Sequence, residues 1–211
     1  MRAMSMTNIL KIKHETFDFD GAWSQAFGEN PSSSGFWFVW GKEKNGKTWF
    51  SLLLAKYLAT KAKVLYVSAE EGLGKEFCEA IQRAGLSERT KNILFVEYET
   101  ISDIRKYISK RNAPTVVFID NLTIYNGEMK SDDLKKLLSD FPDKLFVLVA
   151  HEDRSQPYGA LAQLGRRLAK IILHVKGLKA EVSGRCKGGS LVVDDEAASL
   201  YYNDVRNDDE G

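Results

Sequence analysis

Gly41-Lys42-Glu43-Lys44-Asn45-Gly46-Lys47-Thr48 matches the phosphate-binding pattern G-x-x-x-x-G-K-[ST] at every fixed position. The preceding Gly35-Phe36-Trp37-Phe38-Val39-Trp40 is an apolar run of strand length. The following Trp49-Phe50-Ser51-Leu52-Leu53-Leu54-Ala55-Lys56-Tyr57-Leu58 reads as the opening of an apolar helix. Strand, glycine loop and helix in that order turn a text match into a mechanism. Loop N–H groups converge on a phosphate, and the helix N-terminus adds about half a positive charge. Gly41 and Gly46 permit backbone angles and close approach that a side chain would block. Lys47 reaches the outer phosphates, the Thr48 hydroxyl ligates Mg²⁺, and the segment from Gly41 to Trp49 wraps the ligand. ATP with Mg²⁺ is the expected cofactor.

The 211 residues suit one α/β domain. With 30 basic against 29 acidic residues, no global basic field marks a nucleic-acid binder, so any such contact rests on local patches. No apolar run reaches about eighteen residues, so no membrane span is expected. The start, Met1-Arg2-Ala3-Met4-Ser5-Met6-Thr7, lacks a secretory apolar core, which favours a cytoplasmic home. Cys78 and Cys186 form no C-x-x-C pair. They are expected as reduced thiols, one of them packed in a helix.

Residues 1–34 carry an apolar-aromatic segment (Phe17, Phe19, Trp23, Phe27) and then a Ser-rich loop, Asn30-Pro31-Ser32-Ser33-Ser34-Gly35. They are read as an extension packed on the core. From 35 to 202 the texture alternates. Strands are expected at 64–67, 93–96, 116–119, 144–150 and 171–175, and helices at 74–84, 101–111, 131–139 and 161–169. Uninterrupted apolar runs between helices describe an α/β fold with a mainly parallel twisted sheet covered on both faces. After Gly177, residues 179–182 and 190–193 flank Gly184-Arg185-Cys186-Lys187-Gly188-Gly189 as a C-terminal antiparallel hairpin. Residues 203–211 read as an acidic tail.

Asp120 ends the run Val116-Val117-Phe118-Ile119, where a carboxylate can hold Mg²⁺ opposite Thr48. The next residue is Asn121, not a glutamate, so a water-activating base must come from elsewhere. Glu70 and Glu71 follow the strand at 64–69, which would lie beside the Asp120 strand. Glu70 is the expected base, with the charge of Glu71 raising its pKa. His151 closes the strand at 144–150, near the γ-phosphate, and is read as a nucleotide sensor. His174 is read as structural. Arg185, in the late hairpin, is an exposed arginine able to enter a neighbouring subunit's site as a finger.

Together these features resemble the RecA-like ATPases: strand-exchange recombinases, DnaB-type helicases and KaiC-type proteins. The resemblance covers about residues 35–202. It rests on Gly41 to Thr48, Ala69-Glu70, Ile119-Asp120, the polar residue after the fifth strand, and Gly184-Arg185…Gly188-Gly189. DnaB-like members carry a Lys-x-Arg pair in the hairpin; here Ser183-Gly184-Arg185 keeps only the arginine. His151 stands where recombinases often have glutamine. The aromatic start is similar to that of short single-domain members from phage and mobile elements.

The resemblance implies a strand at 144–150 between the phosphate-loop and Asp120 strands. It also implies DNA-facing loops at 121–130 and 151–160, carrying Tyr125, Lys130, Arg154 and Tyr158, with Arg166, Arg167 and Lys170 following. The expected function is a Mg-dependent ATPase, a homo-oligomeric ring or filament, acting on single-stranded DNA in replication, recombination or repair. The alternative is a nucleotide-gated adaptor or loader with little hydrolysis. A small-molecule phosphotransferase fits less well, since no segment looks like an arginine-rich lid.

Overall fold

Residues 3–194 are described by a computed structural model. Along them run α1 (Met6–Leu10), α2 (Gly21–Phe27), β1 (Gly35–Gly41), α3 (Lys47–Leu58), β2 (Val64–Ser68), α4 (Lys75–Arg83), β3 (Ile93–Val96) and α5 (Ile101–Ile108). Then come β4 (Val116–Asp120), a 3₁₀ turn (Leu122–Gly127), α6 (Ser131–Asp140), β5 (Leu145–Asp153), β6 (Gln156–Pro157), α7 (Ala160–Leu168), β7 (Ile171–Lys176), β8 (Lys179–Gly184) and β9 (Gly189–Val192). The acidic stretch 203–211 lies outside the described residues.

The sheet order is β3-β2-β4-β5-β1-β7-β8-β9. From β3 to β7 all neighbours are parallel; β8 and β9 complete the edge antiparallel. β5 therefore separates the phosphate-loop strand from the Asp120 strand, as the resemblance implied, and β2 lies beside β4, as expected. Parallel strands covered on both faces are apolar throughout, and successive side chains go to opposite faces. Trp37, Val39, Val64, Tyr66, Val116, Phe118, Val147 and Val149 pack on the α3–α4 face. Phe36, Phe38, Trp40, Leu65, Val67, Val117, Ile119 and Leu148 pack under Ile104, Leu134 and Leu161 of α5, α6 and α7. That alternation decides which polar residues at the strand ends meet.

Several expectations shift. β5 does not end at Ala150 but runs to Asp153, so His151 lies inside the strand, paired with Gly41. The cause is a two-residue turn, Arg154-Ser155, with φ of 47° and 60°, which returns the chain as β6 opposite Glu152 and Asp153. The segment at 151–160 is thus largely hairpin. Tyr125, a residue of the 3₁₀ turn, is buried with its hydroxyl donating to the Glu99 carbonyl, so it cannot stack a base. Lys170 sits at the start of β1, not with the loops: its N–H donates to the Phe36 carbonyl and its ammonium to Ser32 Oγ at 2.8 Å. Cys78 lies in α4 but is exposed.

The aromatic segment before β1 joins the core. Phe19 meets Tyr57 at 4.9 Å between ring centroids, Phe27 at 5.4 Å, Phe17 at 5.9 Å and Trp37 at 6.1 Å. Phe19→Ala is expected to cost about 3–5 kcal/mol, the range for emptying a buried phenylalanine site. Urea unfolding measures this; a loss below about 1 kcal/mol would show the segment to be a passive cover.

Candidate functional site

The strand β1 delivers the chain to Gly41, where it lies so close to β7 that a Cβ would sit 2.1 Å from the Val175 carbonyl oxygen. Gly46, the residue before α3, takes φ +89°, and a Cβ there would strike the Leu178 side chain. The β7–β8 turn grips the loop from outside. Gly177 N–H donates to Asn45 Oδ1 at 2.9 Å and Leu178 N–H to the Asn45 carbonyl at 3.3 Å. Asn45 thus fastens the loop, while Lys42 offers its carbonyl to the Lys47 ammonium at 2.8 Å.

Two-residue alternation then brings the charges together. Tyr66 and Asp120 share the face covered by α3, and the Tyr66 hydroxyl donates to Asp120 Oδ2 at 2.5 Å. Burial pushes the Asp120 carboxyl up to about 6; the Tyr66 bond pulls it down, and Glu71 and Glu70 push it further up. Burial also raises Tyr66 far above its ordinary range, with Asp120 adding to the effect. Lys47 is lowered by burial, against which Asp120 and Glu70 support its charge. Beside them the Asp120–Asn121 peptide is cis.

Glu70, following β2, is held by two donors. His151 Nε2 lies 2.9 and 3.0 Å from its two oxygens, and Asn121 Nδ2 donates at 3.0 Å. His151 is therefore placed with its Nε2 protonated, while its Nδ1 is buried with no hydrogen-bond partner. For Glu70, burial works upward, but the bonds from His151 and Asn121 outweigh it and hold the carboxyl below its ordinary value. This reverses the expectation that Glu71 raises Glu70. The raised member is Glu71 itself, through burial and the charge of Glu70.

Glu43, Lys44, Gly46, Lys47, Thr48, Trp49, Glu70, Glu71, Asp120, Asn121 and His151 line one cavity of about 860 Å³. Sequence reasoning missed Arg83 of α4, which lines its outer wall with its guanidinium 5.3 Å from the Trp49 ring centre. It also missed Tyr66, hidden among strand apolars, and the Gly177-Leu178 clamp. Arg185 is not in this cavity. It is exposed at the other end of the sheet, where its N–H donates to the Lys170 carbonyl. His174 is structural as expected: it stacks on Trp40 at 4.1 Å and bonds Glu152 at 2.8 Å.

Among the described residues no three His, Cys, Asp or Glu side chains form a ready metal cage. Mg²⁺ takes one or two protein oxygens and fills its octahedron with water and phosphate, and Thr48 and Asp120 both line this cavity. Asp120 and Thr48 would supply those oxygens. Among the described residues no helix is long and apolar enough to cross a membrane.

No family model and no curated protein matches the chain. Solved structures share its fold. The flagellar accessory protein FlaH from Methanocaldococcus jannaschii matches with a TM-score of 0.62 at 16% identity, over 86% of this chain and 96% of that one. A KaiC-like protein from Pyrococcus horikoshii OT3 gives 0.59 at 14%, over 86% and 92%. A solved ATPase domain gives 0.53 at 18%, over 74% and 80%.

Asp120 binds a proton more readily folded than unfolded, about 6 against its ordinary 3.8. Its contribution thus favours the fold below about pH 4 and is lost as pH rises through about 6. Asp120→Asn keeps an acceptor for Tyr66 and removes the charge. It is expected to stabilise the nucleotide-free protein by about 1–3 kcal/mol near pH 7.5 and hardly at all near pH 4. Urea titrations at the two pH values decide; an equal effect at both would contradict the assignment.

Proposed function

We propose that this chain, on the RecA-like P-loop fold it shares with those structures, binds Mg·ATP and hydrolyses it. We further propose that it does so as a homo-oligomer acting on single-stranded DNA in replication, recombination or repair. One observation carries the reading: Lys47, Thr48, Asp120 and the Glu70–His151 pair, drawn from four separate elements, line a single cavity at the C-terminal ends of the parallel strands. That is where open α/β sheets bind ligands. Loop N–H groups and the α3 N-terminus would hold the phosphates, with Lys47 leaving the Lys42 carbonyl for them. Mg²⁺, when bound on Thr48 and Asp120, would neutralise phosphate charge. Trp49, flanked by Arg83, offers an aromatic wall for the base.

Glu70 is ionised at neutral pH and would take the proton of the attacking water. Asn121 and His151 fix its orientation, and His151 passes a change at Glu70 into β5 and the β5–β6 hairpin. Arg166 extends that line: it donates to Gln156 at 3.1 Å and lies 4.5 Å from the Trp40 ring centre. Arg154 and Tyr158 are exposed on the hairpin, and Lys130 on the loop before α6. These supply the cations and aromatic surface for a DNA strand. Arg185, remote from its own cavity, serves a neighbour's.

A second reading rests on one feature. The same bonds that orient Glu70 also depress its pKa, which weakens it as a base. A nucleotide-gated adaptor with little turnover would follow if those bonds persist with ATP bound.

Lys47→Ala is expected to abolish Mg·ATP binding by calorimetry. Glu70→Gln should bind ATP but turn over about a hundredfold more slowly, the lower end of a general base's contribution. Unchanged turnover there assigns the base elsewhere, and a wild-type rate already that slow favours the adaptor. For Arg185→Ala the expected loss is at least about 10³-fold in rate, recovered in part by mixing with Lys47→Ala subunits, which supply Arg185 to intact sites. A rate independent of protein concentration and untouched by Arg185→Ala would remove the trans contact.

A further inference from the structure

The N-terminal ends of β2 and β3 lie a strand's length from the phosphate loop, and a second cavity of about 300 Å³ opens there. Three cations line it: Lys63 ahead of β2, and Lys110 and Arg111 after α5. No carboxylate does. Lys63, Lys110 and Arg111 have no acid partner among the described residues. Lys63 spends its ammonium on the Asn112 carbonyl at 3.3 Å. The C-terminus of α5 accounts for two cations at this place. It does not account for Lys63, brought from another element, or for the absence of any counter-charge.

The remaining wall is of a different kind. Tyr107 is 38% and Leu94 51% exposed, and Pro114 completes an apolar side; the Lys110 ammonium is 5.2 Å from the Tyr107 ring centre. Cations on one side and a ring with aliphatic neighbours on the other suit a ligand with an anionic and a flat apolar half. The volume lies at the small end of ligand pockets, about 300–1,000 Å³. We propose that this cavity binds a nucleoside phosphate unit, with its phosphate on Lys63, Lys110 and Arg111 and its base against Tyr107. The unit is either a free mononucleotide or one nucleotide of a single strand. The site stands apart from the ATP cavity and does not depend on its assignment.

Photo-crosslinking with 5-iodouracil probes tests it, using an oligonucleotide of about twelve residues and the free monophosphate. The crosslinked peptide is identified by mass spectrometry. The expected adduct is on Tyr107. Both probes reacting identifies a free nucleotide, and the oligonucleotide alone identifies a strand. The triple variant Lys63→Ala/Lys110→Ala/Arg111→Ala should bind the labelled oligonucleotide at least about tenfold more weakly, with a salt dependence shallower by about two charges. Mg·ATP binding should be unchanged in it, whereas Lys47→Ala should lose Mg·ATP and keep the Tyr107 adduct. No adduct on Tyr107 in the wild-type protein overturns the proposal, whether or not the triple variant folds. Polyglutamate binding that the triple variant loses, with no Tyr107 adduct in the wild-type protein, would make the cavity an acidic-peptide site and overturn it equally.

Discussion

The candidate site depends on the two-residue period of a sheet buried on both faces. Because side chains alternate, Tyr66, Asp120 and His151 must all point to the face that α3 covers, the face on which Lys47 begins its helix. A slip of one residue in β4 would turn Asp120 toward the α5–α7 layer and leave an unpaired carboxylate there. The registers Ser68↔Asp120 and Gly41↔His151 therefore fix chemistry as well as packing.

That convergence has an electrostatic cost. Asp120, Glu70 and Glu71 crowd one buried ammonium, and burial raises Asp120 and Glu71 while lowering Lys47. Asp120, Glu71 and Lys47 are thereby weakened in their ionised forms, whereas His151 and Asn121 favour the ionised form of Glu70. A divalent cation with a triphosphate, as proposed, would relieve all three at once, since it would favour the ionised carboxylates and give Lys47 an anion. Binding energy at such a site is partly the release of that crowding. It also explains why Tyr66 is rooted in the core: its short bond keeps Asp120 from drifting to the neutral acid.

Much of this was legible in the sequence, for definite reasons. The phosphate loop is local, so strand, glycines and helix could be read directly from 35–58. The position of β5 between β1 and β4 came from the resemblance, since strand order leaves no local mark. Contacts made by residues with apolar disguises were not legible. Tyr66 and Tyr125 look alike as strand or loop aromatics, yet one supports the carboxylate and the other is buried within a 3₁₀ turn. The balance at Glu70 was also out of reach. It turns on His151 and Asn121, residues 81 and 51 positions away, whose bonds outweigh the adjacent Glu71.

Geometry also limits what one copy can do. Arg83, whose guanidinium lines the phosphate-loop cavity, lies over Trp49. Arg185 is bound by its backbone to Lys170 at the level of the start of β1, whereas the phosphate loop begins at that strand's other end. No side-chain rotation spans a buried strand of about 20 Å. Under the proposed reading, Arg83 on the Trp49 ring would be the guanidinium that one chain offers its own cavity, and Arg185 would remain out of reach of the γ-phosphate. In the proposed oligomer, a head-to-tail contact that sets the β8–β9 hairpin of one copy against the cavity of the next would bring Arg185 to it. Such heterologous contacts close into rings or continue as filaments. Under the proposed function, that separation would give one chain a reason to assemble with the next.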